Sequence, residues 1–205
     1  MKKYYLLPLF LLFLTISFSQ KKKKNSDDVL KASDLSGLKF RSVGPAFMSG
    51  RIADIAINPE NENEWYVAVG SGGVWKTINS GTTWNPITDD QSFYSTGCIT
   101  IDPNNSSKIW LGTGENVGGR HVGIGHGIYV SENGGKNWKS MGLKSSEHIS
   151  KIIVSPNDSN VVFVASQGPL WSSGGERGLF KTNDGGKSWN NVLSVNEWTG
   201  VTDIA

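Results

Sequence analysis

The sequence predicts an all-β chain built from three imperfect repeats of four short strands. Three observations carry that reading. Runs ending in a small polar residue and proline recur as Ile55-Ala56-Ile57-Asn58-Pro59, Ile99-Thr100-Ile101-Asp102-Pro103 and Ile152-Ile153-Val154-Ser155-Pro156. Each is followed by a second apolar run, a shorter third run, and a glycine-bearing octet that ends in tryptophan. The composition agrees, because 25 Gly and 8 Trp in 205 residues suit short strands and tight turns better than long helices.

Before the repeats, Met1-Lys2-Lys3 is a basic start and Tyr4 to Phe18 an apolar run of 15 residues. Spanning a bilayer takes about 20 apolar residues, so this run reads as the core of a signal peptide over residues 1–19. Ser17 and Ser19 are the small residues that cleavage needs, which makes Gln20 the expected mature N-terminus and the protein secreted or periplasmic. Residues 20–44 are charged, then mildly apolar, and read as a tether. The formal charge of +2 lies in this leader. Without Lys2 and Lys3 the 20 basic groups become 18, against 18 acidic ones, and without Lys21 to Lys24 they become 14. No nucleic-acid footprint is expected from such a balance. One Cys excludes an internal disulfide framework and a Cys-rich zinc site.

Within the repeats, the second strands are Trp65-Tyr66-Val67-Ala68, Ile109-Trp110-Leu111-Gly112 and Val161 to Ala165. The third are Val74-Trp75-Lys76-Thr77, Ile128-Tyr129-Val130-Ser131 and Leu179-Phe180-Lys181-Thr182. Four-stranded units arranged radially make a β-propeller. Blades are expected near 51–89, 95–143 and 148–195, with a fourth beginning at 199, all within a propeller portion spanning 45–205. Propellers generally have about four to eight blades, so the chain is expected to be the front part of a longer ring. The distance from Pro59 to Trp84 is 25 residues, but Pro103 to Trp138 is 35 and Pro156 to Trp189 is 33. The extra length falls between the second and third strands, as inserts Glu115 to His126 and Gln167 to Arg177. Strand alternation places these inserts on the same rim as the links between units, and insertions there leave blade packing untouched.

The octets closing each repeat are Thr77 to Trp84, Ser131 to Trp138 and Thr182 to Trp189. They resemble the Asp box of the BNR-repeat family, with Asn79, Gly81 and Trp84 in the first, Asn133, Gly135 and Trp138 in the second, and Asp184, Gly186 and Trp189 in the third. An Asp or Asn side chain accepts backbone N–H bonds inside the turn, Gly supplies a positive φ, and the Trp is expected between neighbouring sheets. That role is structural, not catalytic.

From Phe40 onward the sequence resembles the N-terminal part of large secreted bacterial proteins called sortilin-like or glycosyl hydrolases. The residues carrying this are Phe40 to Ile52 and Trp65 to Thr77, and the resemblance implies a module that binds a protein, peptide or glycan. The alternative it implies is a glycoside hydrolase acting on polysaccharide. Xyloglucanases of similar architecture carry an acidic residue just before the Gly pair, where this chain has Gly70-Ser71 before Gly72-Gly73. Sialidases carry Arg-Ile-Pro entering the first blade, where this chain has Arg51-Ile52-Ala53. A glycosidase of ordinary type needs two carboxylates flanking the scissile bond, and neither enzyme's first-blade acid is present.

The remaining candidates lie on the insert-bearing rim. Arg51, Arg120 and Arg177 stand one per repeat and either hold an anionic ligand as fork donors or are unrelated surface arginines. Glu115 and Glu176 are either acid/base groups or partners of those arginines. His121 and His126 read as polar loop residues rather than metal ligands, and no metal or cofactor is expected. Trp171, in a Gly/Ser loop, is either a sugar-stacking platform or a plug over the blade. Cys98, in an innermost strand, reads as a buried inert thiol.

Overall fold

The computed structural model of the protein describes residues 31–38, 51–119 and 121–205. The signal peptide, most of the tether, the segment Phe40 to Gly50 and Arg120 lie outside the described residues. Residues 31–38 belong to a separate unit and hold one 3₁₀ turn, Ala32–Leu35, where the Lys31 N–H donates to the Asp34 carboxylate.

From residue 51 the chain forms three four-stranded antiparallel sheets, each made from consecutive strands. The first contains β1 (Ile52–Ile57), β2 (Trp65–Val69), β3 (Gly73–Thr77) and β4 (Asn85–Pro86). The second contains β5 (Thr96–Asp102), β6 (Asn105–Thr113), β7 (Ile128–Ser131) and β8 (Lys139–Ser140). The third contains β9 (Ile149–Ser155), β10 (Asp158–Ser166), β11 (Gly178–Thr182) and β12 (Asn190–Leu193). These are blades of a propeller arc, and the three do not close a ring. Register repeats between blades: Val67 pairs with Ile55 and Trp75, Leu111 with Ile99 and Tyr129, Val164 with Ile152 and Phe180.

Period-two alternation explains how the blades stack. In β2, Tyr66 and Ala68 face the second sheet and join Ile99, Ile109, Leu111 and Phe93 in one apolar layer. In the second sheet, Trp110, Cys98 and Val130 point the other way and meet Ile152, Val154, Val162 and Val164. Trp110 is fully buried, and removing such a side chain typically costs about 3–5 kcal/mol. Burial pushes the Cys98 thiol well above its usual range, so it stays protonated. Gly112 makes room here, since a Cβ would stand 2.6 Å from the Cys98 sulfur.

Each closing turn is knitted by the same bonds. Thr77, Ser131 and Thr182 hydroxyl oxygens accept the N–H of Gly81, Gly135 and Gly186 at 2.9, 2.8 and 3.0 Å. Asn79, Asn133 and Asp184 side-chain oxygens accept the N–H four residues on, at 2.9, 2.9 and 3.0 Å. The glycine at φ +88° in the second and third turns has no room for a side chain either: a Cβ on Gly186 would stand 2.9 Å from Trp110.

The closing tryptophans differ. Trp138 donates its indole N–H to the Ile87 carbonyl (3.2 Å), and Trp189 donates to the Met141 carbonyl (2.7 Å). Each thereby bolts its blade to the preceding one. Trp84, expected between sheets, instead lies over Trp65 of its own blade at 6.4 Å and is 37% exposed. No described sheet precedes the first, so the face carrying Ile52, Ile55, Trp65, Trp75 and Trp84 remains an open groove of about 370 Å³.

Candidate functional site

One rim gathers the loops β2–β3, β6–β7 and β10–β11 together with the links β4–β5 and β8–β9 and the segment that follows β12, called a link with them. The bonds show it directly. Gly73 N–H donates to Tyr94 O (2.9 Å), Gly114 N–H to Ser95 O (3.0 Å), Gly125 N–H to Glu147 O (2.8 Å) and Gly174 N–H to Glu197 O (2.8 Å). Each insert is therefore laced to a link, and the rim is one continuous surface across the blades.

The insert of the second blade is organised around a buried anion. The Glu115 side chain is 3% exposed and forms an ion pair with Arg51, whose side chain is 58% exposed. The same carboxylate accepts the Ser71 hydroxyl at 2.8 Å and the Gly123 N–H at 3.2 Å. Gly70 leaves the space, since a Cβ there would lie 3.1 Å from the carboxylate carbon. The Glu115 carbonyl accepts the Nδ1–H of His148, which is 1% exposed, at 2.9 Å. Burial holds the His148 imidazole below its ordinary pKa, against a smaller opposing pull from Glu147, so the ring is neutral. A carbonyl only accepts, so the neutral ring carries its proton on Nδ1.

The insert of the third blade is organised around a buried cation. Arg177 is 7% exposed and gives every N–H of its guanidinium to a backbone carbonyl. Nε donates to Gly174 O (2.8 Å), Nη1 to Gln167 O (3.1 Å) and Trp198 O (3.0 Å), and Nη2 to Pro169 O (2.6 Å) and Ser172 O (2.8 Å). No described carboxylate lies within ion-pair distance. Gly168, at φ +73°, forms the cradle, because a Cβ would stand 2.9 Å from the guanidinium carbon. Glu176 turns away from the arginine and accepts the Ser145 N–H and hydroxyl, both at 2.9 Å.

The three-arginine anion site expected as one alternative is thus not assembled by Arg51 and Arg177. Arg51 is exposed but neutralised by Glu115, and Arg177 has no donor left for a ligand. Arg120 lies outside the described residues. Glu115 pairs with one of the rim arginines, whereas Glu176 pairs with neither. His121 and His126 are exposed, and the His126 N–H donates to the Thr113 hydroxyl at 2.7 Å. Trp171 is 74% exposed, so it does not plug the blade. Two further exposed aromatics stand on the links, Trp198 at 63% and Tyr94 at 67%. Both escaped the sequence reading. The signal for Trp198 was a tryptophan outside any repeat strand, between Glu197 and Thr199. Tyr94 edges a crevice of about 290 Å³ shared with Gly72, Thr88, Asp89 and Gln91.

Chemically, this rim offers flat apolar faces on pinned loops, with its two insert carboxylates engaged. No protein-family model matches the chain. A probable oligoxyloglucan-reducing end-specific xyloglucanase of Neosartorya fischeri is 25% identical over 108 residues, 51% of this chain and 12% of that protein. An oligoxyloglucan-reducing end-specific xyloglucanase of Emericella nidulans is 21% identical over 148 residues, 70% of this chain. The chain spans only 12% and 18% of the length of these curated relatives. Among solved structures, an ancestral GH74 enzyme superposes with a TM-score of 0.55 at 20% identity, covering 72% of this chain and 20% of that one. The GH74 enzyme of Niastella koreensis gives 0.52 at 21%, covering 70% and 21%. YCF48 bound to D1 peptide gives 0.51 at 14%, covering 72% and 42%. These likenesses establish the propeller fold.

Proposed function

We propose that the chain supplies the ligand-binding rim of an extracytoplasmic propeller that recognises a protein, peptide or glycan, with a neutral glucan-type polysaccharide as the leading class. The observation that carries this is Trp171, 74% exposed on a loop whose backbone is pinned from within. An exposed indole on a rigid loop stacks on a sugar ring at little entropic cost, whereas a free, mobile one does not. The names of the curated relatives, both xyloglucanases, favour a glucan over a peptide. Export rests on the apolar leader, and N-terminal sequencing of secreted material beginning at Gln20 is the expected result.

The second reading is a glycoside hydrolase, favoured by the same names. It needs an acid and a second carboxylate free to reach the scissile bond. Glu115 is sealed in its ion pair and Glu176 is tied to Ser145, which supports binding over turnover by these residues. The deciding experiment titrates the full chain with xyloglucan, other β-glucans and sialosides while assaying released reducing ends. Binding without product supports the proposal, and product formation that depends on Glu115 or Glu176 overturns it.

A further inference from the structure

We infer that Arg177 is a positioning residue that locks two rim loops into one body and so fixes Trp171 and Trp198 in a single display. This rests on the rim being the binding surface. The five carbonyls it holds come from both loops: Gln167, Pro169, Ser172 and Gly174 from the insert, Trp198 from the link. Two of the five, Pro169 and Ser172, flank Trp171 closely in sequence, and another is the carbonyl of Trp198 itself. Neither loop has strand pairing of its own over these residues. Among the described residues one other hydrogen bond joins them, Gly174 N–H to Glu197 O, and Val201 N–H donates to Ser166 O at the end of β10.

The choice of residue follows from donor count. A guanidinium offers five N–H groups in a planar fork, and all five are used. A lysine ammonium offers three, so at least two buried carbonyls would lose their partner. The packing was built for the larger group. Gly168 gives the fork its space, and Gly200 brings the link onto Gln167, where a Cβ would stand 2.5 Å from the Gln167 Cα. Backbone approach and guanidinium therefore act on the same pair of loops from two sides.

The test uses the full chain as wild type, Arg177→Lys, Gly200→Ala and Trp171→Ala. Hydrogen exchange is read over residues 167–177 and 196–201, with β5 to β7 as the fold control. Fluorine NMR of 5-fluorotryptophan protein follows Trp171 and Trp198, assigned through Trp171→Phe and Trp198→Phe. Arg177→Lys is expected to speed exchange in both loops together, by about tenfold or more, and to shift both indole resonances while the control strands hold. Gly200→Ala, which leaves the guanidinium intact, is expected to do the same more weakly. Exchange that changes in one loop only, or in neither, overturns the inference. Calorimetry with a xyloglucan oligosaccharide adds the functional arm. Arg177→Lys is expected to weaken binding about as much as Trp171→Ala, with no further loss in the double variant. Wild-type affinity in Arg177→Lys alongside loss in Trp171→Ala would contradict the positioning role. Failure of Trp171→Ala to weaken binding would instead refute the glucan-binding reading, and the exchange and fluorine results would still decide the clamp.

Discussion

The second and third blades carry inserts of similar length on one rim, yet the two are organised by opposite charges. In the second blade a carboxylate, Glu115, is buried and needs a guanidinium, a hydroxyl and an N–H to hold it. In the third a guanidinium, Arg177, is buried with carbonyls alone. The asymmetry follows from backbone chemistry. An irregular loop has many carbonyls whose N–H partners are elsewhere, and these can surround a cation, whereas an anion must recruit scarcer free donors. The anion therefore reaches across blades, to Arg51 and Ser71 of the first, while the cation stays within its own blade and link. One insert holds its buried charge by reaching across blades, and the other holds its charge with its own backbone and that of the segment after β12, although Gln167 also donates to the Asn116 carbonyl and the His148 carbonyl.

The largest effect expected from breaking this comparison is at the cation. Arg177→Met removes five donors and strips five carbonyls of that partner, two of them in buried bonds and three in part-buried ones, a loss of about 3–5 kcal/mol measured by chemical denaturation. Glu115→Gln should cost less, about 1–2 kcal/mol, because the partner Arg51 is exposed and can return to water. An equal cost at both positions would remove the distinction between the two inserts.

The pH response should separate the inserts next. His148 is neutral when folded, its pKa lowered chiefly by burial, so the unfolded chain binds the proton more readily. Its contribution to stability is present above the unfolded value of about 6.5 and is lost as pH falls below it. Protection of the second insert's amides, taken relative to their intrinsic rate at each pH, should therefore fall between about pH 7 and 5, while protection around Arg177, whose guanidinium bonds only carbonyls, should hold. Loss of protection in both inserts together would contradict this.

The smallest effect belongs to the closing turns. Asp184 accepts the Ser188 hydroxyl at 2.6 Å, the Thr182 hydroxyl at 2.7 Å and the Ser188 N–H, which hold its carboxyl below the usual range. A depressed carboxylate stabilises above its unfolded pKa of about 3.9 and loses that contribution as pH falls further. The third turn should thus loosen in acid, read from exchange of the Ser188 amide, while the Asn137 amide on uncharged Asn133 is unaffected.

Much of this architecture was legible in the sequence because its determinants are local. Alternating runs such as Ile99-Thr100-Ile101 and turns such as Asn133-Gly134-Gly135 specify strand and hairpin within a few residues. The inserts were legible as spacing differences, and Trp171 as an aromatic in a Gly/Ser loop. Contacts set by the arc were not. Arg51 and Glu115 are 64 residues apart and meet only when two blades stack. The inward turn of Arg177 depends on where five carbonyls converge, which no side-chain pattern encodes. Trp84 departs from the other closing tryptophans for the converse reason: its octet matches theirs, but no described sheet precedes its own.

On the proposed reading the rim binds through its exposed aromatics while its insert carboxylates serve structure. Calorimetry of the full chain with xyloglucan, run beside a reducing-end assay on Trp171→Ala, Glu115→Gln and Glu176→Gln, separates this from turnover. Binding should be weakened about tenfold or more by Trp171→Ala and retained in Glu176→Gln, with no reducing ends released by any form. Turnover by the wild type that Glu115→Gln or Glu176→Gln abolishes would contradict it.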